Sequence, residues 1–312
     1  MRVIVAGAAG FIGFHLTKRF LDEGYDVVGL DNIVTGQKAN VEELSKSRAF
    51  TFINHDVVEP IAVAGPVDLV CNLACPASPV DFGPLRLEIL DVCSRGTRML
   101  LEAARDKNAV YLHASTSEVY GDPKVHPQPE SYWGNVHTTG PRSCYDEGKR
   151  FGEALTVAYR DKFDVRTRIV RIFNTYGPRM RPNDGRALPV FINQALNGQP
   201  ITIHGDGRQT RSFCFVSDLV EGLVRLAASD EPNPVNIGNA IEISILDIAK
   251  EVIEITGSKS EIVHVERPTD DPQLRCPDLT RATELLGWKP IVERRDGLAL
   301  TVEWFRRLRS AG

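Results

Sequence analysis

No run in this chain approaches the roughly 20 consecutive apolar residues that a membrane-spanning helix needs. The chain also lacks the charged-then-apolar layout of a secretory signal and enters a strand pattern by Val3, so a cytoplasmic location is expected. Basic charge is not in excess. Lys and Arg number 37 against 41 Asp and Glu, for a formal net charge of -4 and a pI near 6.0. That balance argues against a general nucleic-acid or anionic-membrane binder, while leaving room for local basic sites that hold phosphate. Cysteine is sparse and scattered, at positions 71, 75, 93, 144, 214 and 276. Cys71 and Cys75 are four apart, but neither a second pair nor a nearby histidine completes a metal pattern, so no metal site is expected. The thiols read as reduced and mostly packed. Tandem repeats and low-complexity tracts are missing as well.

What is present is an ordinary globular composition, 42% hydrophobic and 25% charged. At 312 residues the chain is too long for one small core, so a large domain with an added lobe is the natural expectation. Short apolar β-rich runs recur at residues 3–5, 27–30, 50–54, 67–73, 109–114 and 168–173. Helical patterns fall between them. The first spans residues 11 to about 21, with Ile12, Leu16 and Phe20 on one face and Gly24 at its end. Near-continuous apolar strands alternating with helices imply a doubly wound parallel sheet, an α/β fold. After residue 173 the pattern changes to a segment rich in Gly, Pro, Arg and Asn. A helix near 218–227 and a strand at 235–237 then return to the sheet, and helical patterns dominate from about 241. The expected division is a nucleotide-binding domain of residues 1–173 and about 211–240, with a smaller discontinuous lobe of about 174–210 and 241–312.

Residues 7–13 read G-A-A-G-F-I-G, between the first strand and the first helix. Glycine at 7, 10 and 13 permits a tight turn and lets backbone N–H groups approach a pyrophosphate, which then meets the positive end of the helix dipole. Asp31 follows at the end of the second strand, 18 residues after Gly13. There a carboxylate can bond a ribose 2′-hydroxyl and repel a 2′-phosphate, which favours NAD over NADP. A plain turn followed by a solvated aspartate is the alternative.

Tyr145 and Lys149 form Y-x-x-x-K on an expected helix, which puts both on one face. An adjacent ammonium stabilises phenolate, so the tyrosine pKa is expected to fall below about 10 and yield a base for a hydroxyl proton. Together with the N-terminal glycine motif, this pair resembles the extended short-chain dehydrogenase/reductase family. Further segments resemble its UDP-glucuronate decarboxylase branch across nearly the whole chain. They are D-N (31–32), N-H-D-V-V-E-P (54–60), N-L-A-C-P-A-S-P (72–79), S-T-S-E-V-Y-G-D-P (115–123), H-P-Q (126–128), Y-W-G (132–134) and G-P-R-S-C-Y-D-E-G-K-R (140–150). Later come R-I-F-N-T-Y-G-P-R-M (171–180), N-D-G-R (183–186), Q-T-R-S-F (209–213), V-S-D-L (216–219) and D-D-P-Q-L-R (270–275).

The resemblance implies a set of NAD contacts: Gly7, Gly10, Phe11, Ile12, Gly13, Asp31, Asn32, Thr35, Gly36, Asp56, Val57 and Leu73, with Tyr145 and Lys149. It places Asn174, Arg186 and Arg211 at the nucleotide-sugar cleft, where an arginine fork suits phosphate. Each could instead be a surface charge or an ion pair between lobes. In the family's dTDP-glucose 4,6-dehydratases the corresponding threonine is followed by Asp-Glu, and the Asp helps expel water. Here Thr116 is followed by Ser117 and Glu118, which fits loss of CO2. A surface carboxylate is the alternative reading of Glu118. By resemblance, Tyr145 takes the C4 hydroxyl proton, Thr116 bonds the same oxygen, and Arg275 supplies the acid for C5, supported by Ser117 and Glu118. The implied reaction converts UDP-glucuronate to UDP-xylose through a 4-keto intermediate, in a homodimer.

Residues 80–106 depart from the branch. Gly83-Pro84-Leu85 replaces a Tyr-Asn-Pro-like stretch, Asp91 stands where relatives have a lysine near substrate, and Cys93 where they have asparagine. The sugar-facing pocket then needs compensating groups or takes a different substrate. A UDP-sugar 4-epimerase, an oxidative decarboxylase that releases the 4-keto pentose, and a non-catalytic NAD-binding regulator therefore remain as alternatives.

Overall fold

The structure is a computed structural model that describes residues 1–266 and 274–311. Residues 270–273 of the D-D-P-Q-L-R segment lie outside the described residues; Leu274 and Arg275 lie within them. The first half of the chain runs β1 (Arg2–Ala6), α1 (Phe11–Asp22), β2 (Asp26–Asp31), α2 (Lys38–Leu44), β3 (Phe50–Asn54) and β4 (Leu69–Asn72). It continues through α3 (Arg86–Asp91), a π-helical turn (Val92–Gly96), α4 (Thr97–Asp106), β5 (Val110–Thr116), α5 (Ser143–Phe163) and β6 (Thr167–Ile172). There follow β7 (Thr175–Tyr176), α6 (Ala187–Leu196), β8 (Ile201–His204), β9 (Thr210–Ser212), β10 (Cys214–Phe215), α7 (Val216–Ala228) and β11 (Pro234–Ile237). The last elements are β12 (Glu242–Ser244), α8 (Ile245–Thr256), β13 (Ile262–Val265), α9 (Thr280–Leu286) and α10 (Arg294–Ala311).

Among the described residues, seven strands form one parallel sheet in the order β3-β2-β1-β4-β5-β6-β11. Strand order reverses beside β1, which pairs with β2 on one side (Val3 opposite Val27) and β4 on the other (Val3 opposite Leu69). Alternation along β1 explains the two layers of helices. Val3 and Val5 enter one core with Phe14, Leu16, Leu219 and Leu223, whereas Ile4 and Ala6 enter the other with Leu100, Leu101 and Ala104. Both sheet faces are thus buried, as the continuous apolar runs require.

The sequence pattern located the sheet strands to within a few residues, but it did not show the small strands. The region after residue 173 holds α6 and four short strands, β7 to β10. The C-terminal region contributes two more: β13 pairs with β8, and β12 pairs antiparallel with β9. Those pairings, with α6 packed on α8, tie two distant segments together. Strands of two to four residues carry too few alternations to be read from periodicity. No helix among the described residues is long and apolar enough to cross a membrane.

Candidate active site

A cavity of about 980 Å³ opens beyond the carboxyl ends of the central strands, where strand order reverses. This is the crevice in which open α/β sheets bind ligands. One wall is built by the residues that follow β1, β4, β5 and β6; the other comes from α6 and the β8–β9 region, including Arg186, Phe191, Gln209 and Arg211.

The glycine turn makes the cradle at one end. Gly7 has φ +85°, and a Cβ on Gly13 would lie 1.9 Å from the Gly7 carbonyl oxygen, so the turn closes only with glycine at both positions. Gly10 precedes α1 and carries no side chain to cap it, which leaves first-turn amides available to a phosphate. Gly7, Gly10, Phe11, Ile12, Gly13, Thr35 and Leu73 all line the cavity. Asp31 closes β2 and accepts hydrogen bonds from the Ala9 amide (3.0 Å) and the Ile33 amide (2.7 Å). Burial still raises its carboxyl above the usual value, against the pull of those two bonds. Gly36 packs so close to Asp31 that a Cβ would come within 2.9 Å of Oδ1. Asn32 donates to Asp56 at 3.0 Å, joining the ends of β2 and β3. Asp31 at the end of β2 and Asn32, Gly36 and Asp56 in the loops lie outside the cavity lining, and Val57 is packed in the core. The uncapped amides, the glycine-only turn and the carboxylate at the end of β2 fit a dinucleotide.

Tyr145 and Lys149 both face the cavity from α5. The Lys149 Nζ lies 5.8 Å from the Tyr145 ring centroid and donates to the Ala114 carbonyl at 2.8 Å. Phe82 stacks on Tyr145 at 5.0 Å. The expected fall in the phenol pKa is not what this geometry produces. Burial dominates and raises it, while Lys149 and the Thr116 hydroxyl pull it down. The ammonium stabilises the phenolate, as its spacing implied, but a phenol only 7% exposed loses more from leaving water than one cation returns.

Thr116 ends β5, and its hydroxyl accepts from the Glu118 amide at 3.2 Å, turning the chain so that Ser117 and Glu118 follow on the cavity wall. Glu118 is not a surface carboxylate. Its Oε1 meets Arg275 Nη1 at 2.9 Å, and its Oε2 accepts from Arg142 Nη2 at 2.7 Å. Burial alone would raise its pKa; Arg275 and Arg142, with Arg211 beyond, outweigh it and hold the carboxyl down at about 2. Arg275, 2% exposed, also donates to Ser117 Oγ at 3.0 Å and to the Gly121 carbonyl at 2.9 Å.

Asn174, Arg186 and Arg211 all line the cavity. Arg186 is paired with Asp184, two residues away, and Arg211 Nη1 donates to the Thr210 carbonyl at 2.8 Å. Asp91 is exposed and outside the cavity lining, while Arg86, five residues earlier on α3, lines it. The charge reversal therefore does not enter the pocket, and a cation is present there from the same helix.

Three features escaped sequence reading. Arg142 lies three residues before Tyr145, a spacing that could have nominated it. Asp146, beside Tyr145, is buried with Oδ1 unpartnered; burial first, then Glu118, push its pKa up to about 7. The Arg181–Asp81 ion pair, at 2.5 Å, joins residues 100 apart and left no local signal. Away from the cavity, His126, Glu242 and Cys276 bring potential ligand atoms within 4.8 Å. There His126 Nε2 and Glu242 Oε2 already bond each other at 2.9 Å, and Cys276 donates to the Ala240 carbonyl.

A doubly wound sheet with a glycine cradle at its switch point, and a tyrosine–lysine pair facing the same cavity, defines a dinucleotide-binding α/β enzyme of the short-chain dehydrogenase/reductase type. Residues 3–238 match the NAD dependent epimerase/dehydratase family, and the chain belongs to that family. It is 50% identical over 309 residues to UDP-glucuronic acid decarboxylase 4 of Arabidopsis thaliana, covering 98% of this chain and 69% of that protein. It is 47% identical over 306 residues to UDP-glucuronic acid decarboxylase 1 of Xenopus tropicalis, covering 98% of this chain and 72% of the relative. Among solved structures, UDP-glucuronic acid 4-epimerase from Bacillus cereus, in complex with UDP-glucuronic acid and NAD, superposes with a TM-score of 0.88. The identity is 30%, over 99% of this chain and all of the other.

Proposed function

We propose that this enzyme decarboxylates UDP-glucuronate to UDP-xylose with NAD as an internally recycled cofactor. The observation that carries the reading is the Ser117–Glu118–Arg275 cluster on the same cavity wall as Thr116, Tyr145 and Lys149. A dehydratase needs a carboxylic proton at the position of Ser117, and serine has none to give. The relatives at 47–50% identity support the same choice.

The Gly7–Gly13 turn and Asp31 would hold NAD, which would supply a reversible hydride acceptor. Tyr145 is the acceptor for the C4 hydroxyl proton as the C4 hydride leaves, with Lys149 and the Thr116 hydroxyl offsetting part of the burial that raises its phenol pKa. The C6 carboxylate is then β to a C4 ketone and leaves as CO2, because the electron pair at C5 delocalises into the carbonyl. Arg275, bonded to Ser117, directs the proton that returns to C5, and the hydride then goes back to C4 while Tyr145 returns its proton to the C4 oxygen, which gives UDP-xylose. Glu118, ionised between two arginines, keeps Arg275 aimed. Arg86, Arg186 and Arg211 give the substrate's negative groups their cations, and Asn174 contributes polar contacts.

The residues 1–173 and about 211–240 would serve the cofactor, and the remainder the UDP-sugar. A homodimer in the cytoplasm is the form proposed. In its support, Leu87 and Leu90 of α3 and Phe151 of α5 are large apolar side chains left exposed on helices beside the site.

The deciding experiment incubates the pure protein with UDP-glucuronate and NAD+ and identifies gas and sugar. CO2 with UDP-xylose and no net NADH is expected. UDP-galacturonate without CO2 would establish the 4-epimerase reading, which the Bacillus cereus structure keeps as the second choice.

A further inference from the structure

Two cysteines beside the tyrosine–lysine pair have no part in the reaction above. Cys75 lies in the loop after β4 and lines the cavity. Cys93 sits in the π-helical turn between α3 and α4. Their Sγ atoms are 3.6 Å apart, although the residues are 18 apart in sequence. Cys93 is held from behind by α5: a Cβ at Gly148 would come within 3.0 Å of Cys93 Cβ and 3.1 Å of its Sγ. Glycine at 148 therefore lets α5 approach, and Cys93 packs in one cluster with Phe82, Tyr145 and Cys75.

We propose that Cys75 and Cys93 are a dithiol modification site, closed to a disulfide by a peroxide that enters through the active-site cavity. A disulfide needs about 2.0 Å between sulfurs, so the pair must close by roughly 1.6 Å from 3.6 Å. Cys93 lies in a π-helical turn, already a departure from regular helix, where a small backbone adjustment is least costly. The two thiols differ in their electrostatics. Hydrogen bonding from Cys75, then Lys149, holds the Cys93 thiol below its usual value, while Cys93 and burial push Cys75 well up. Cys75 is the sulfur that the cavity reaches, and Cys93 stands 3.6 Å from it.

The chemistry balances with hydrogen peroxide as oxidant. The Cys75 sulfur attacks one peroxide oxygen and loses its proton; the O–O bond breaks, and the leaving oxygen takes the electron pair and that proton as water. Cys75 is then a sulfenic acid. The Cys93 sulfur attacks the Cys75 sulfur and loses its proton; the S–O bond breaks, and the leaving hydroxide takes that proton as water. Two thiols and one peroxide give one disulfide and two waters. The product ties the cavity loop to the turn ahead of α4.

The test uses the full chain, reduced, desalted, treated with hydrogen peroxide, then alkylated, unfolded and digested. The protein should lose two of its six thiols, yield a linked Cys75–Cys93 peptide by mass spectrometry, and recover both thiols with dithiothreitol. Cys93→Ser and Cys75→Ser should form no such link; circular dichroism checks that each is folded, and either one alone suffices as control. Six unchanged thiols, a link through Cys144, or oxidation of Cys75 that dithiothreitol does not reverse would each overturn the proposal. None of these readouts depends on which sugar the enzyme converts.

Discussion

Arg275→Met is the perturbation from which most can be learned. It keeps a long apolar stem but deletes a buried cation that bonds Glu118, Ser117 and Gly121. Glu118 moves from a carboxyl value of 4.5 down to about 2 on folding, a difference worth roughly 3 kcal/mol at neutral pH. Arg275 is the leading favourable contributor, with Arg142 next. Removing one partner of a buried pair typically costs about 3–5 kcal/mol, because the other is left charged without compensation. We expect Arg275→Met to lose about 3 kcal/mol in urea unfolding. Glu118→Gln should be destabilised too, and the double variant should lose less than the sum by 1 kcal/mol or more, since neither charge is then stranded. A carboxyl with a depressed pKa contributes stability that is present above 4.5 and is lost as pH falls toward about 2. Wild type should therefore lose more stability than Glu118→Gln over that range. Additivity of the two variants within about 0.5 kcal/mol, with parallel acid profiles, would refute the argument. Measured alongside, CO2 release separates stability from chemistry: a folded Arg275→Met enzyme that makes UDP-xylose at the normal rate would remove Arg275 from the mechanism.

Tyr145→Phe preserves the stack on Phe82 but deletes the proton acceptor, so turnover should fall by about 10²–10⁴ with NAD binding retained; near-normal turnover would exclude it. Asp31 should make NAD+ bind well ahead of NADP+ by calorimetry, and equal affinities would move the ribose elsewhere. Asp146 has its pKa raised to about 7, so the folded state keeps a proton that the unfolded state has lost, and stability falls as pH rises from 3.8 to about 7. Asp146→Asn should abolish that slope in urea midpoints, and an offset from wild type that does not change with pH would refute it. Light scattering at micromolar concentration should give a dimer that Leu87→Glu weakens, and a wild-type monomer would overturn that assembly.

Much of the nucleotide-binding half was legible in the sequence because its signals are local. β1 and α1 flank a turn that only glycine closes at Gly7 and Gly13, and Asp31 stands a fixed distance along the chain. Tyr145 and Lys149 share a helix face by spacing alone. Resemblance, rather than periodicity, drew Glu118 and Arg275 into one site, and the fold then showed the carboxylate to be partly buried between two arginines. What only the tertiary structure decided involves residues remote in sequence or balances of solvation. The pairing of β8 with β13 and β9 with β12 joins segments that carry no mutual pattern. Arg86 lines the cavity and Asp91 does not, because five residues along α3 put them on different faces. The Tyr145 phenol rises rather than falls because burial is a property of every atom packed around it, and a four-residue spacing reports only the cation. Likewise, Cys75 and Cys93 read as two of six scattered thiols until the loop after β4 and the π-helical turn bring their sulfurs together.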